Sequence, residues 1–275
     1  MLKFIQKLVR GIEKIIKIVF KKEKKQRKPT QPPKDFPKEP LKKPIHPWRI
    51  CPKGQHYRVD HDVQGYTTAS GKSVDPYHRS WTCVKNPSEK DQLYSEEIDK
   101  IAIEHFAQFK VNILGTISDF GERGNIYDHI IQGWTKYWND ILKPSEQLNP
   151  RLIKALIASE SSFNPKAWNG LSGPNRARGL MQVLDGTLPL LTNKYKELLD
   201  HQINVTEEDM LNPNFSICVG IRWLFRKKQL ARAFLKREVS WREAVIMYKG
   251  IPFEHENEVR RLMENFDKFY GELSE

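Results

Sequence analysis

The sequence predicts a mainly α fold, preceded by a small β-hairpin module and an N-terminal amphipathic helix. Apolar residues recur at helical spacing in seven segments from Ser95 onward, near 95–109, 124–142, 150–162, 186–199, 213–236, 241–249 and 257–270. Several segments also carry end signals. Asn149 before Pro150 and Asn212 before Pro213 each set an N-cap ahead of a first-turn proline. Ser240 with Glu243 makes a capping box, and Gly250 closes the same helix. Ahead of Ser95 the pattern changes to short Tyr, Val and Thr stretches around a Ser70-Gly71 turn, which predicts a hairpin. At 275 residues and 39% hydrophobic composition, the chain can bury one medium core and carry accessories.

The formal net charge of +12 is unevenly placed. Residues 1–28 hold eleven Lys or Arg against Glu13 and Glu23, a net of +9. Ile5, Leu8, Val9, Ile12, Ile15, Ile16 and Val19 form one face there, and Lys3, Lys7, Arg10, Lys14 and Lys17 form the other. That separation predicts a helix lying in an anionic membrane surface. Lysines interrupt every turn, so it does not span, and the unbroken apolar run of an ordinary secretion signal is missing. Docking on its own protein or on a partner helix is the alternative. A nucleic-acid arm is not expected, because nucleic acid makes no use of the apolar face. Seven of the seventeen prolines fall within residues 29–48, which predicts an extended linker. The expected organisation is therefore helix 1–28, linker 29–48, hairpin module 49–90 and helical domain 91–275.

Cys51 and Cys83 bracket the hairpin, while Cys218 falls within a helical pattern as a small buried residue. A Cys51 to Cys83 bridge would be worth roughly 3 to 4 kcal/mol and would imply an oxidising compartment. His56, His61 and His78 beside two cysteines raise a zinc site, but their spacing fits no finger pattern, so no metal and no cofactor are expected. The stretch with Val63, Gly65, Tyr66, Thr67, Gly71, Val74, Pro76 and Arg79 resembles a short attachment module of bacterial and phage proteins.

In the segment 149–165, Ile153, Leu156 and Ile157 form an inward stripe that Glu160 continues. Burial and the negative end of the helix dipole both disfavour an ionised carboxylate there. A carboxylic acid kept protonated is what glycoside cleavage asks of its general acid. The bland alternative is a glutamate whose head reaches water.

The surrounding residues favour the first reading. Glu160, Ser161, Phe163, Asn164 and Pro165, then Gly179, Leu180, Met181 and Gln182, with Thr187 closing the block, resemble the central motif of the lytic transglycosylases, relatives of goose-type lysozyme. Pro213, Ile217, Gly220 and Leu224 resemble that family's later helix, and Ala244, Tyr248 and Gly250 its last active-site segment. The three blocks stand in family order over about residues 145–255. The resemblance implies a lysozyme-like helical domain, Glu160 as the catalytic acid, and Ser161, Gly179, Met181, Gln182 and Tyr248 around the substrate. It also implies cleavage of the β-1,4 bond between N-acetylmuramic acid and N-acetylglucosamine in peptidoglycan, leaving 1,6-anhydro ends, and a place in the cell envelope of a bacterium or in the service of a phage. By themselves, Gly179 permits close backbone approach, Met181 offers an adaptable wall, Gln182 offers amide groups to a sugar, and Tyr248 offers a hydroxyl near the acid.

Three residues depart from the family pattern: Ser216 in place of Asn, Asp185 where Pro is common, and Lys249 in place of the Asn after the tyrosine. Lys249 is expected to alter sugar contact and to leave the acid untouched. Beyond Asp185 no second carboxylate stands in the motif blocks, which favours intramolecular closure over water attack. A hydrolytic muramidase using Asp185 or another acid as base, and a non-catalytic wall-binding or assembly protein, are the rival readings.

Overall fold

The computed structural model describes residues 48–274, apart from 69–70, 88–89, 110–111, 193 and 196. They belong to one of two compact units, Leu41–Glu275. The expected helix 1–28 and residues 29–47 of the expected linker lie outside the described residues. Seven α-helices among the described residues make the fold mainly α: α1 (Ser95–His105), α2 (Asp128–Leu142), α3 (Pro150–Ser161), α4 (Leu188–Leu191), α5 (Pro213–Leu235), α6 (Trp241–Tyr248) and α7 (Glu256–Ser274). None of them is long and apolar enough to cross a membrane.

The core lies where α5 packs against α6, α2 and α1, and where α3 packs against α7 and α2. Ile131, Trp134 and Trp138 of α2 are fully buried. Their indole N–H groups are satisfied: Trp134 donates to Asn214 Oδ1 at 2.6 Å and Trp138 to the Cys218 carbonyl at 2.9 Å. Asn139, also on α2, clamps the Leu148 backbone through two 2.9 Å hydrogen bonds. That clamp fixes where α3 begins. Asn149 then caps α3 by accepting from Arg151 N, and Asn212 caps α5 by accepting from Asn214 N. The capping box of Ser240 and Glu243 is complete, and Gly250 has φ +69 just past α6.

The expected helix 186–199 is corrected to the single turn of α4. Its end has a local cause: the Thr192 hydroxyl donates to the Pro189 carbonyl and accepts from Lys194 N, while Thr192 itself is extended. The chain then runs to β8 (Gln202–Asn204), which pairs in parallel with β7 (Gln92–Tyr94).

The hairpin is present as three successive antiparallel ladders: β1 (Gln55–Arg58) with β6 (Thr82–Lys85), β2 (His61–Val63) with β5 (Tyr77–Arg79), and β3 (Tyr66–Thr67) with β4 (Ser73–Val74). The Cys51–Cys83 disulfide staples its base with a Cα separation of 5.6 Å, and Cys218 is free and buried. The base is also held to α1. Arg49 forks onto Glu97 at 2.7 and 3.0 Å and pairs with Asp91, all three buried. Trp48, the last residue of the expected linker, is itself core, donating to Asp140 Oδ2 at 3.0 Å. The three hairpin histidines go separate ways: His56 bonds Asn86 and stacks on Tyr94, His61 bonds the Val59 carbonyl, and His78 pairs with Asp62 and Asp60. Among the described residues no group of three metal-ligating side chains converges.

Candidate active site

Glu160 sits one residue before the end of α3. Ile153, Leu156 and Ile157 beneath it are fully buried, each apolar side chain worth roughly 1.5 to 3 kcal/mol. The helix is stopped abruptly by two consecutive left-handed residues, Ser162 at φ +51 and Phe163 at φ +60. A left-handed phenylalanine costs about 1 to 3 kcal/mol and needs something to hold it. Its buried ring supplies that hold, edge-on to Phe120 at 5.3 Å and closely covering Gly124, where a Cβ would come within 2.5 Å. The turn therefore fixes the exit of the chain from the acid.

The carboxylate has a partner. Lys249, expected to leave the acid untouched, instead donates from Nζ to Glu160 Oε1 at 2.5 Å, with the two side chains only 12% and 17% exposed. This corrects the reading of Lys249 as a feature of the sugar pocket alone. The lysine follows directly on α6, and the fold carries it across 89 positions to the end of α3.

Tyr248, its neighbour, faces the other side of the site. Its hydroxyl donates to the Met181 carbonyl at 2.7 Å. Burial, reinforced by the charge of Glu160, pushes its phenol well above the ordinary value, so it stays a donor. The Met181 N–H in turn donates to Ser216 Oγ at 3.2 Å, so this serine holds the loop onto α5. Gly179 has φ +73 and lies so close to the Met210 carbonyl that a Cβ would sit 1.9 Å from the oxygen. Gln182, with φ +47, donates its amide to the Ala167 and Gly179 carbonyls at 3.1 and 2.9 Å. The Ser161 hydroxyl donates back to Ile157 O at 3.1 Å.

The structure thus links most of the expected residues, but several serve as scaffold. Met181 is 0% exposed, its side chain wedged over Gly220, so it presents no wall to a ligand; the expectation of an adaptable apolar wall there is corrected by this packing. Ser161 and the Gln182 amide nitrogen are spent on the backbone. Asp185 is also committed: Arg178 holds both its oxygens at 2.8 and 3.2 Å, and Arg178 reaches Glu207 at 3.0 Å. Sequence reasoning missed Lys249 as the partner of the acid, and it missed Trp168. The indole of Trp168 stands 60% exposed on the loop between Glu160 and Gly179, with the Arg176 guanidinium 5.9 Å over its ring.

Residues 138–268 match the family model described as Transglycosylase SLT domain. The matched stretch contains Glu160, the loop 166–182, Ser216, Tyr248 and Lys249, and it supports a lytic-transglycosylase-like function acting on peptidoglycan. No curated protein matches the chain.

Proposed function

We propose that the chain is a peptidoglycan lytic transglycosylase with a lysozyme-like catalytic domain, in which Glu160 performs both proton transfers. The observation that carries this reading is the pair of carboxylate fates in the matched region. Glu160 lies partly buried at a helix end with one oxygen held by Lys249, whereas Asp185 is bound up with Arg178. A hydrolytic reading that uses Asp185 as base would have to break that two-point pair first.

Glu160, which pairs with Lys249 as a carboxylate in the resting site, first takes up a proton and then gives it to the glycosidic oxygen that leaves with N-acetylglucosamine as the C1–O bond of the muramoyl sugar breaks. Lys249 stabilises the carboxylate that this step leaves behind. The muramoyl 6-hydroxyl oxygen then bonds to C1 and passes its proton to Glu160, which restores the acid and closes the anhydro ring. No water enters the bond made. Residues 1–28 serve as a tether to an anionic membrane surface at the envelope and 29–48 as a spacer, a reading that rests on their sequence.

The test is a digest of purified sacculi in labelled water, read by mass spectrometry. Anhydro-muramic ends without solvent oxygen are expected, and Glu160→Gln should cut the rate by about two to four orders of magnitude while folding normally. Reducing ends carrying the label would replace this reading with the hydrolytic one. Full sacculus binding with no release by the wild-type protein would favour a non-catalytic wall-binding role. Removing residues 1–28 should abolish sedimentation with anionic liposomes and spare activity on soluble fragments.

A further inference from the structure

The loop 166–178 holds its exposed indole rigidly. Asn169 braces it from within, accepting from Leu171 N at 3.2 Å and Ala177 N at 3.1 Å and donating to the Asn175 carbonyl at 2.9 Å. Trp168 pairs with Arg178 in an antiparallel bridge. Arg176 is anchored by donating from Nε to the Leu171 carbonyl at 3.1 Å, which sets its guanidinium against the Trp168 ring. The preceding residue, Ala167, accepts at its carbonyl from both Gly179 N and Gln182 Nε2. The backbone that carries the ring is therefore tied by hydrogen bonds to the motif loop, and by the short turn after α3 to Glu160.

A tryptophan left mostly in water contributes little to folding, yet this one stands on a loop braced by hydrogen bonds on either side of it. Its charge surroundings are specific too. Arg178 is neutralised by Asp185 and Glu207, whereas the Arg176 guanidinium gives the ring a positive fringe.

We propose that Trp168 with Arg176 forms a glycan-binding subsite, which deepens the functional reading above and rests on it. The indole takes the apolar C–H face of one amino sugar of the strand, and the Arg176 guanidinium takes carbonyl or carboxylate oxygens of that sugar's N-acyl or lactyl substituents. The uncharged sugar face matches the ring, and the acidic substituents of the strand match the fringe.

The experiment measures binding of full-length Glu160→Gln protein to purified sacculi, with and without Trp168→Ala, Trp168→Tyr and Arg176→Gln. Trp168→Ala should weaken binding about tenfold, Trp168→Tyr should restore most of it, and Arg176→Gln should weaken it a few-fold with reduced salt dependence. In the active protein, Trp168→Ala should raise KM for glycan strands with little change in kcat, and near-UV circular dichroism should show the fold intact. Equal sacculus binding by Trp168→Ala and its parent would overturn the subsite, as would equal weakening by Ala and Tyr or a loss confined to kcat. Unimpaired cleavage by Glu160→Gln would overturn the reaction reading alone and leave the binding comparison standing.

Discussion

Lys249 Nζ and Glu160 Oε1 meet at 2.5 Å, an ion pair closed between residues 89 positions apart. One carboxylate oxygen is thereby held by the ammonium. Lys249→Met should lower kcat about ten- to a hundredfold with little effect on KM, because orientation and stabilisation of the departing-proton state are lost together. Lys249→Arg should recover part of the rate. The pair is mostly buried, so the Met variant, which leaves the Glu160 carboxylate without its partner, should lose about 1 to 3 kcal/mol in a denaturant titration. An unchanged kcat would show that the pair does not persist when substrate is bound.

Gly179→Ala should be among the most damaging single methyl additions in the chain. The new Cβ meets a backbone carbonyl at 1.9 Å and imposes a left-handed alanine at φ +73. Loss of several kcal/mol in chemical denaturation is expected, or failure to accumulate as soluble protein. A stable, active variant would mean that the loop yields where it meets the Met210 carbonyl.

Beneath the acid, α3 carries a second buried ion pair, Lys154 with Asp128 at 2.8 Å, supplemented by the Gly115 carbonyl and Asn125. Burial lowers the lysine and raises the aspartate from their ordinary values, and each charge only partly offsets the other's burial. Lys154→Met alone should cost about 3 to 5 kcal/mol, since it leaves a buried carboxylate unpaired. Adding Asp128→Asn should return much of that loss, because Asn still accepts from Leu114 N at the position where Asp128 does so at 2.9 Å. A double-mutant cycle by urea unfolding measures the coupling.

The hairpin base should respond to reductant and to acid. Reducing Cys51–Cys83 should remove about 3 to 4 kcal/mol by loop entropy. Burial alone would lift the Asp91 carboxyl, but its hydrogen bond with His201 and the Arg49 charge outweigh that and hold it below 3.8. A depressed carboxyl contributes stability that is present above its unfolded value of about 3.9 and is lost as pH falls through the lower folded value. Amide exchange at residues 49–58 should therefore accelerate below about pH 4, ahead of exchange in α5. Simultaneous acceleration in both places would show that the clamp does not melt separately.

Much of this was legible because it is written locally. The caps at Asn149, Asn212 and Ser240, the stripe beneath Glu160 and the Cys51–Cys83 pairing each depend on residue types at short or bracketing spacing. Thr192 ended α4 early through a side-chain bond that competes with the helix, a choice that apolar periodicity does not report. The parallel pairing of Leu93 with Ile203 depends on the chain returning after more than a hundred residues. Lys249 escaped for the same reason: its charge was visible, but its meeting with Glu160 is set by where α6 ends relative to α3. Met181 was misplaced because motif membership does not say which way a side chain points, and here it points into the core.

Tyr248 and Lys249 are adjacent, yet one grips the Met181 carbonyl and the other the Glu160 carboxylate. The last turn of α6 is in this sense a crossbar, and the spacing between motif loop and acid is gauged by the length of a single peptide unit. Spreading the two sides requires snapping a bond at one end or carrying the whole helix along. Slow breathing of the site should then appear as rigid-body movement of α6, with the acid and the loop keeping step.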